Sequence, residues 1–142
     1  MAKSIADIQD EIIEEFEVSD DWADRYMLIV EYAKELKKNP LPESDRTDSN
    51  LLDGCQSKVW LTCREENGIL YFNGDSDALL VKGIVAMFIV VLSGHTPKEI
   101  VESPLYFIER IGLQEHLSPT RNNGVVAMVK QMKLYALAYQ AK

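Results

Sequence analysis

Cys55 follows a glycine in Gly54-Cys55-Gln56-Ser57-Lys58-Val59-Trp60, where a long polar segment runs into alternating apolar and polar residues. A cysteine kept for packing more often sits inside a strand or helix as a small inert hydrophobe. A preceding glycine permits a sharp turn, and a loop tip presents its side chain to another molecule. A thiolate displayed this way suits nucleophilic or sulfur-exchange chemistry. Gln56 and Ser57 could hydrogen-bond the sulfur or simply shape the loop. Lys58 either lowers the thiol pKa or points away, as strand alternation would allow.

Other residues that could do chemistry are sparse. Cys63 sits mid-strand on the face shared by Val59 and Leu61, which reads as packing. A metal site needs about four N, S or O ligands. Two cysteines at Cys-x7-Cys spacing and two isolated histidines, His95 and His116, match no common zinc pattern, so no metal is expected. A cysteine hydrolase would need a histidine base beside the thiol, for which His116 is the candidate, but no third group is evident. Asp75 and Asp77 read most simply as caps of the following helix. Alternatively, that helix start lies near Cys55 and its dipole stabilises a thiolate.

Regular elements must position these groups. Ser4 with Asp7 three residues on is a helix start, and Ile5, Ile8, Ile12 and Phe16 recur at helical spacing. Asp20-Asp21 opens a second helix with Trp22, Tyr26, Ile29, Ala33 and Leu36 on one face, closed by Lys37-Lys38-Asn39-Pro40. Residues 39–50 form a polar loop with little apolar surface to hold it down, and it leads straight to Cys55. Lys58–Arg64 and Ile69–Asn73 are strands joined by the hairpin signal Asn67-Gly68, with Asn50-Leu51-Leu52 as a short third strand. Thirteen of the fifteen residues Ala78–Leu92 are apolar, which predicts a helix buried on nearly every side. Thr96-Pro97-Lys98-Glu99 and Ser103-Pro104 open two short helices. The last helix, after Ser118-Pro119, carries Val125, Met128, Met132, Tyr135 and Tyr139 on one face. The expectation is an α+β fold, a single domain over 1–142 with a small antiparallel sheet packed against several helices.

Composition narrows the partners. The 142 residues are 46% hydrophobic and 27% charged, with a formal charge of −8. Such an acidic chain repels a phosphate backbone, so no nucleic-acid partner is expected. Nine carboxylates and no Lys or Arg lie between Asp7 and Asp24, forming either a solvated face or a docking surface for a basic partner. The run Ala78–Leu92 is shorter than the roughly twenty residues a spanning helix needs. No membrane association is expected, the start lacks a signal-peptide core, and a cytoplasmic, reducing location follows.

Together with Gly54–Trp60, three further segments matter: Gly74-Asp75-Ser76-Asp77-Ala78, Val81-Lys82-Gly83-Ile84, and Gly112-Leu113-Gln114-Glu115-His116-Leu117-Ser118-Pro119-Thr120-Arg121. In this order and at these separations they resemble the SufE family of sulfur acceptors in iron–sulfur cluster assembly, over almost the whole chain. The resemblance implies a fold shared with U-type scaffold proteins. It also implies that Cys55 receives persulfide sulfur from a SufS-type cysteine desulfurase and passes it to a downstream Fe–S scaffold. On that reading the protein carries sulfur and activates the desulfurase rather than acting as a free-standing enzyme. It needs no cofactor of its own, the pyridoxal phosphate belonging to the partner. Ser118-Pro119-Thr120-Arg121 is similar to the family's Ser/Thr-Pro-x-Arg element, which implies a partner contact or thiolate stabilisation for Arg121. Gly54, Gln56, Ser57, Asp75 and His116 are the other supporting candidates. A thiol-dependent redox enzyme using Cys55, and an adaptor binding through acidic helices, are the alternatives from other classes.

Overall fold

A computed structural model describes residues 3–53, 55 and 57–142. The chain opens with α1 (Ile5–Glu17) and α2 (Trp22–Ala33). Both start where local chemistry directs. Ser4 Oγ accepts from the Asp7 amide at 3.0 Å, and the Asp21 carboxylate accepts from the Ala23 amide at 2.9 Å. Each satisfies an amide that the first helical turn leaves without a partner. Beyond Ala33 the helix tightens into a 3₁₀ turn over Lys34–Lys38, so α2 is shorter than its apolar period suggested.

β1 (Val59–Glu66) and β2 (Ile69–Ser76) form an antiparallel hairpin. Asn67 and Gly68 take positive φ values of 52° and 83°, the backbone a two-residue hairpin turn of matching twist requires. Leu51 contributes a single bridge to Trp60 rather than the expected third strand. Both outer edges of the pair are covered. The Tyr135 and Tyr139 hydroxyls donate to the Leu61 and Cys63 carbonyls, and Ser93 Oγ and the His95 carbonyl accept from the Phe72 and Leu70 amides. Two strands alone would be marginal, and these contacts also block pairing with another chain.

The central helix α3 (Leu79–Leu92) packs on the hairpin and against α2, with Ile84, Val85, Met87, Phe88, Val91 and Leu92 all within the core. Gly83 permits this arrangement, because a Cβ there would overlap the Ile29 carbonyl of α2. Three helices follow: α4 (Pro97–Glu102), α5 (Phe107–Arg110) and the long α6 (Pro119–Gln140). Thr96 and Glu99 form the complete reciprocal cap expected for α4. The helix expected from Ser103-Pro104 starts only at Phe107. The buried Gln9 side chain holds the preceding residues extended, donating to the Pro104 carbonyl and accepting from the Tyr106 and Phe107 amides. The architecture is the expected α+β domain, a two-stranded sheet with six α-helices among the described residues. No helix of these residues is long and apolar enough to cross a membrane.

Candidate functional site

Cys55 lies between the Leu51 bridge and the start of β1, and its sulfur is tucked inward, not displayed. The thiol faces the carbonyl of Gly124 in α6 at 3.8 Å, the length of a weak sulfur hydrogen bond. Beside it is a cavity of about 20 Å³ bounded by Ser57 and Val59, by Val81 and Ile84 of α3, and by Arg121, Val125 and Met128 of α6. The walls are mostly apolar. Burial pushes the Cys55 thiol above its ordinary 9.0. Burial thus favours the thiol over the thiolate at Cys55.

The backbone after Cys55 is clasped from the end of β2. The Lys58 amide donates to Asp77 Oδ1 at 3.0 Å, and Ser76 Oγ donates to the Lys58 carbonyl at 2.7 Å. Asp77 thus holds the strand entry instead of capping α3, whose N-cap is Ala78 with no side-chain bond. The Lys58 side chain is exposed and does not line the cavity, and the Cys55 thiol is shifted up by burial rather than down.

Asp75 also departs from expectation. It belongs to β2, where its carboxylate pairs with Arg46 and lies 3.6 Å from Lys82 Nζ. The Arg46 guanidinium is 5.2 Å from the Trp60 ring centroid. The pair anchors the polar segment before Cys55, as does Leu41, only 5% exposed. That segment folds into two 3₁₀ turns, Glu43–Asp45 and Asp48–Asn50, and is held down more firmly than its composition implied.

His116 is exposed, and its ring stacks on Trp22 with centroids 3.6 Å apart. It does not line the Cys55 cavity, so the thiol–histidine pair of a cysteine hydrolase is not formed. His95 is buried between the Lys3 and Leu92 carbonyls, a structural histidine. Cys63 packs against the core edge opposite Phe72, and burial together with Glu65 pushes its thiol up to about 11. No group of three or more potential metal ligands occurs among the described residues. Gly54 and Gln56 lie outside the described residues.

Arg121 is the one distant candidate that the fold brings to Cys55. Its amide is held by the Ser118 cap at 3.2 Å, which orients the first turn of α6. Arg121 lines the cavity, and its Nη1 is buried without a partner among the described residues. A buried unpaired donor is costly and suits an anion that is present only transiently. Gly124 was not singled out from the sequence, and Val81, Ile84 and Met128 were named in a family segment or on an apolar helix face without being placed beside Cys55. The available signal was Gly124, a glycine inside a helical pattern, which often marks a close approach of another chain segment.

Residues 10–136 match the family model described as "SufE: Fe-S metabolism associated domain". The chain belongs to the SufE family. It is 43% identical over 129 residues to an uncharacterized SufE-like protein of Synechocystis, covering 91% of this chain and 80% of that one. A SufE-like protein of Rhizobium meliloti, also uncharacterized, is 40% identical across 87% of this chain and 91% of its own. The solution structure of a hypothetical protein from Thermus thermophilus shares the fold, with a TM-score of 0.77 at 20% identity over 95% of this chain and 97% of that one. Membership of the SufE family gives the protein a role in Fe–S metabolism.

Proposed function

We propose that this SufE-family protein accepts sulfur from a cysteine desulfurase on Cys55, stimulates that enzyme by clearing its product, and relays the sulfur to iron–sulfur cluster assembly. The Cys55 thiolate attacks the terminal sulfur of the persulfide on the partner. The donor S–S bond breaks, the donor sulfur leaves as a thiolate, and Cys55 is left as Cys55–S–SH. The protein is a carrier of half a reaction. The desulfurase of SufS type supplies the pyridoxal phosphate chemistry, a cluster scaffold takes the sulfur, and no cofactor is needed here.

The observation that carries this reading is Cys55 beside a small, mostly apolar cavity that Arg121, which has one buried guanidinium nitrogen without a partner among the described residues, also lines. A persulfide is easily lost to reductants, and such a cavity shelters it between donor and recipient. Partial burial that raises the thiol pKa weakens Cys55 as a nucleophile, and on this reading the Cys55 segment swings out on docking, in a minor state that the partner stabilises. Arg121 then offers charge to the transferring or arriving sulfur anion.

The test is sulfur loading. Incubation with a desulfurase and free cysteine should add the mass of one sulfur to the peptide holding Cys55, and Cys55→Ser should abolish it. Sulfur found on Cys63 and retained in Cys55→Ser would remove Cys55 from this role.

A further inference from the structure

We propose that the groove between the end of α2 and the start of α3 is a docking site for the desulfurase, which lays there an acidic segment with an apolar side chain between its carboxylates. This deepens the reading of Cys55 as the acceptor of desulfurase sulfur and rests on it.

The groove is a cavity of about 320 Å³, at the small end of the range for ligand pockets, so it suits a few side chains of a docked segment. Val30, Leu36, Leu41 and Leu79 give it an apolar lining. Leu79 is nevertheless 58% exposed, and Met27, one turn before Val30 on α2, is 62% exposed. Neither side chain serves the core. Large apolar side chains left in water beside a groove mark a contact surface.

Charge decides what fits. Lys34, Lys37 and Lys82 line the groove against one carboxylate, Asp75, which is already bonded to Arg46. That is a local excess of positive charge in a chain whose formal charge is −8. Lys34 and Lys82 have carboxylates nearby, Glu31 at 3.0 Å and Asp75 at 3.6 Å, while Lys37 makes no ion pair among the described residues. The Lys34–Glu31 pair is exposed on both sides and worth little, so it exchanges readily. Carboxylates flanking an apolar side chain match both the cations and the apolar lining, whereas a bare phosphate leaves the lining uncovered. A second copy offers the carboxylates of Asp7–Asp24, but Val18 is the one large apolar side chain exposed in that stretch.

Position points to the desulfurase. Leu79 and Lys82 share the first turns of α3 with Val81 and Ile84, which line the Cys55 cavity. Leu41 and Asp75 belong to the groove and also anchor the polar segment that leads to Cys55. A partner that brings a persulfide to Cys55 therefore covers the start of α3 and reaches the groove, where opposite charges steer and orient it.

Titration calorimetry with a desulfurase lacking its own reactive cysteine measures this docking without sulfur transfer. Lys34→Glu combined with Lys37→Glu should weaken binding about tenfold or more and lessen its dependence on salt. The neutral pair Lys34→Gln and Lys37→Gln should fall between that variant and wild type. Leu79→Ser should weaken binding about fivefold or more while the salt dependence stays. Lys98→Glu on α4 makes the same kind of charge change outside the groove, and should bind within about twofold of wild type. Thermal midpoints check the folding of each variant. Lysine variants that bind no more weakly than Lys98→Glu, or a Leu79→Ser that binds like wild type, would overturn the proposal. So would dimerisation of wild type at rising concentration that Leu79→Ser abolishes, since the groove would then belong to a second copy. The acceptor reading fails separately, if active desulfurase and free cysteine add no sulfur to wild-type Cys55.

Discussion

The guanidinium of Arg46 is bonded to the carboxylate of Asp75, which fastens the polar segment before Cys55 to the last turn-distal residues of the hairpin. Both side chains are largely shielded, at 24% and 14% exposure. Removing Arg46 takes the bonded partner from a partly desolvated Asp75, which keeps only Lys82 at 3.6 Å as counter-charge. Arg46→Ala should cost about 1–3 kcal/mol in urea denaturation and speed alkylation of Cys55 in the free protein. Loss of stability with no change in alkylation would uncouple this pair from the cysteine segment.

Arg121 invites the opposite pattern. Its Nη1 satisfies no partner among the described residues, so folding gains little from it. Arg121→Ala should shift stability by less than about 1 kcal/mol, yet slow sulfur acceptance by Cys55 about tenfold or more. Arg121→Lys should recover part of the rate, since it keeps the charge but loses the planar fork. Rapid-quench mass spectrometry beside thermal unfolding of the same samples separates the two effects. Equal losses in rate and stability would make Arg121 structural.

The two thiols should separate by pH. The thiolate is the reacting form, and both folded-state pKa values are raised by burial, that of Cys63 from 9.0 to about 11. Alkylation of Cys63 in Cys55→Ser should stay slow at pH 8 and rise only as pH approaches about 11. The linked stability has a definite sign. A thiol held protonated in the fold binds its proton more tightly there than in the unfolded chain, so its contribution is complete below pH 9.0 and declines as pH climbs toward about 11. Cys63→Ala should flatten that decline.

His116 stacks on Trp22 and stands apart from the thiol cavity. His116→Ala should therefore leave the pH profile of Cys55 alkylation unchanged. A shift of that profile to higher pH would restore His116 as the base.

Gly83 and Gly68 offer a matched pair for the fold itself. An alanine Cβ at 83 would strike the Ile29 backbone, whereas at 68 it meets open space and only the positive φ opposes it. Gly83→Ala should cost about 3 kcal/mol or more, and Gly68→Ala about 1 kcal/mol, by chemical denaturation. Comparable costs would argue that α2 can slide away from α3.

What was legible in the sequence is what neighbours along the chain decide. The caps at Ser4, Asp21 and Thr96, the hairpin at Asn67-Gly68, the apolar period of α6 and the core character of α3 all depend on residues within a few positions of one another. The Gly-Cys element and its companion segments marked Cys55 on the same terms. Side-chain partners were not legible where they depend on packing between distant segments. Asp75 and Asp77 looked like caps because a helix follows them. Docking of the polar segment on β2 gave Asp75 to Arg46, and the approach of the end of β2 to the entry of β1 gave Asp77 to the Lys58 amide. His116 shares a motif with Arg121, but the 3₁₀ turn at Leu113–His116 turns it to Trp22 while α6 carries Arg121 to the thiol. Gly124 lies 69 positions from Cys55 and meets it only because α6 crosses beside the start of β1. Local hydrogen bonding and periodicity are encoded within one or two turns of chain. The surroundings of the Cys55 sulfur are set by three segments whose approach only the folded core determines.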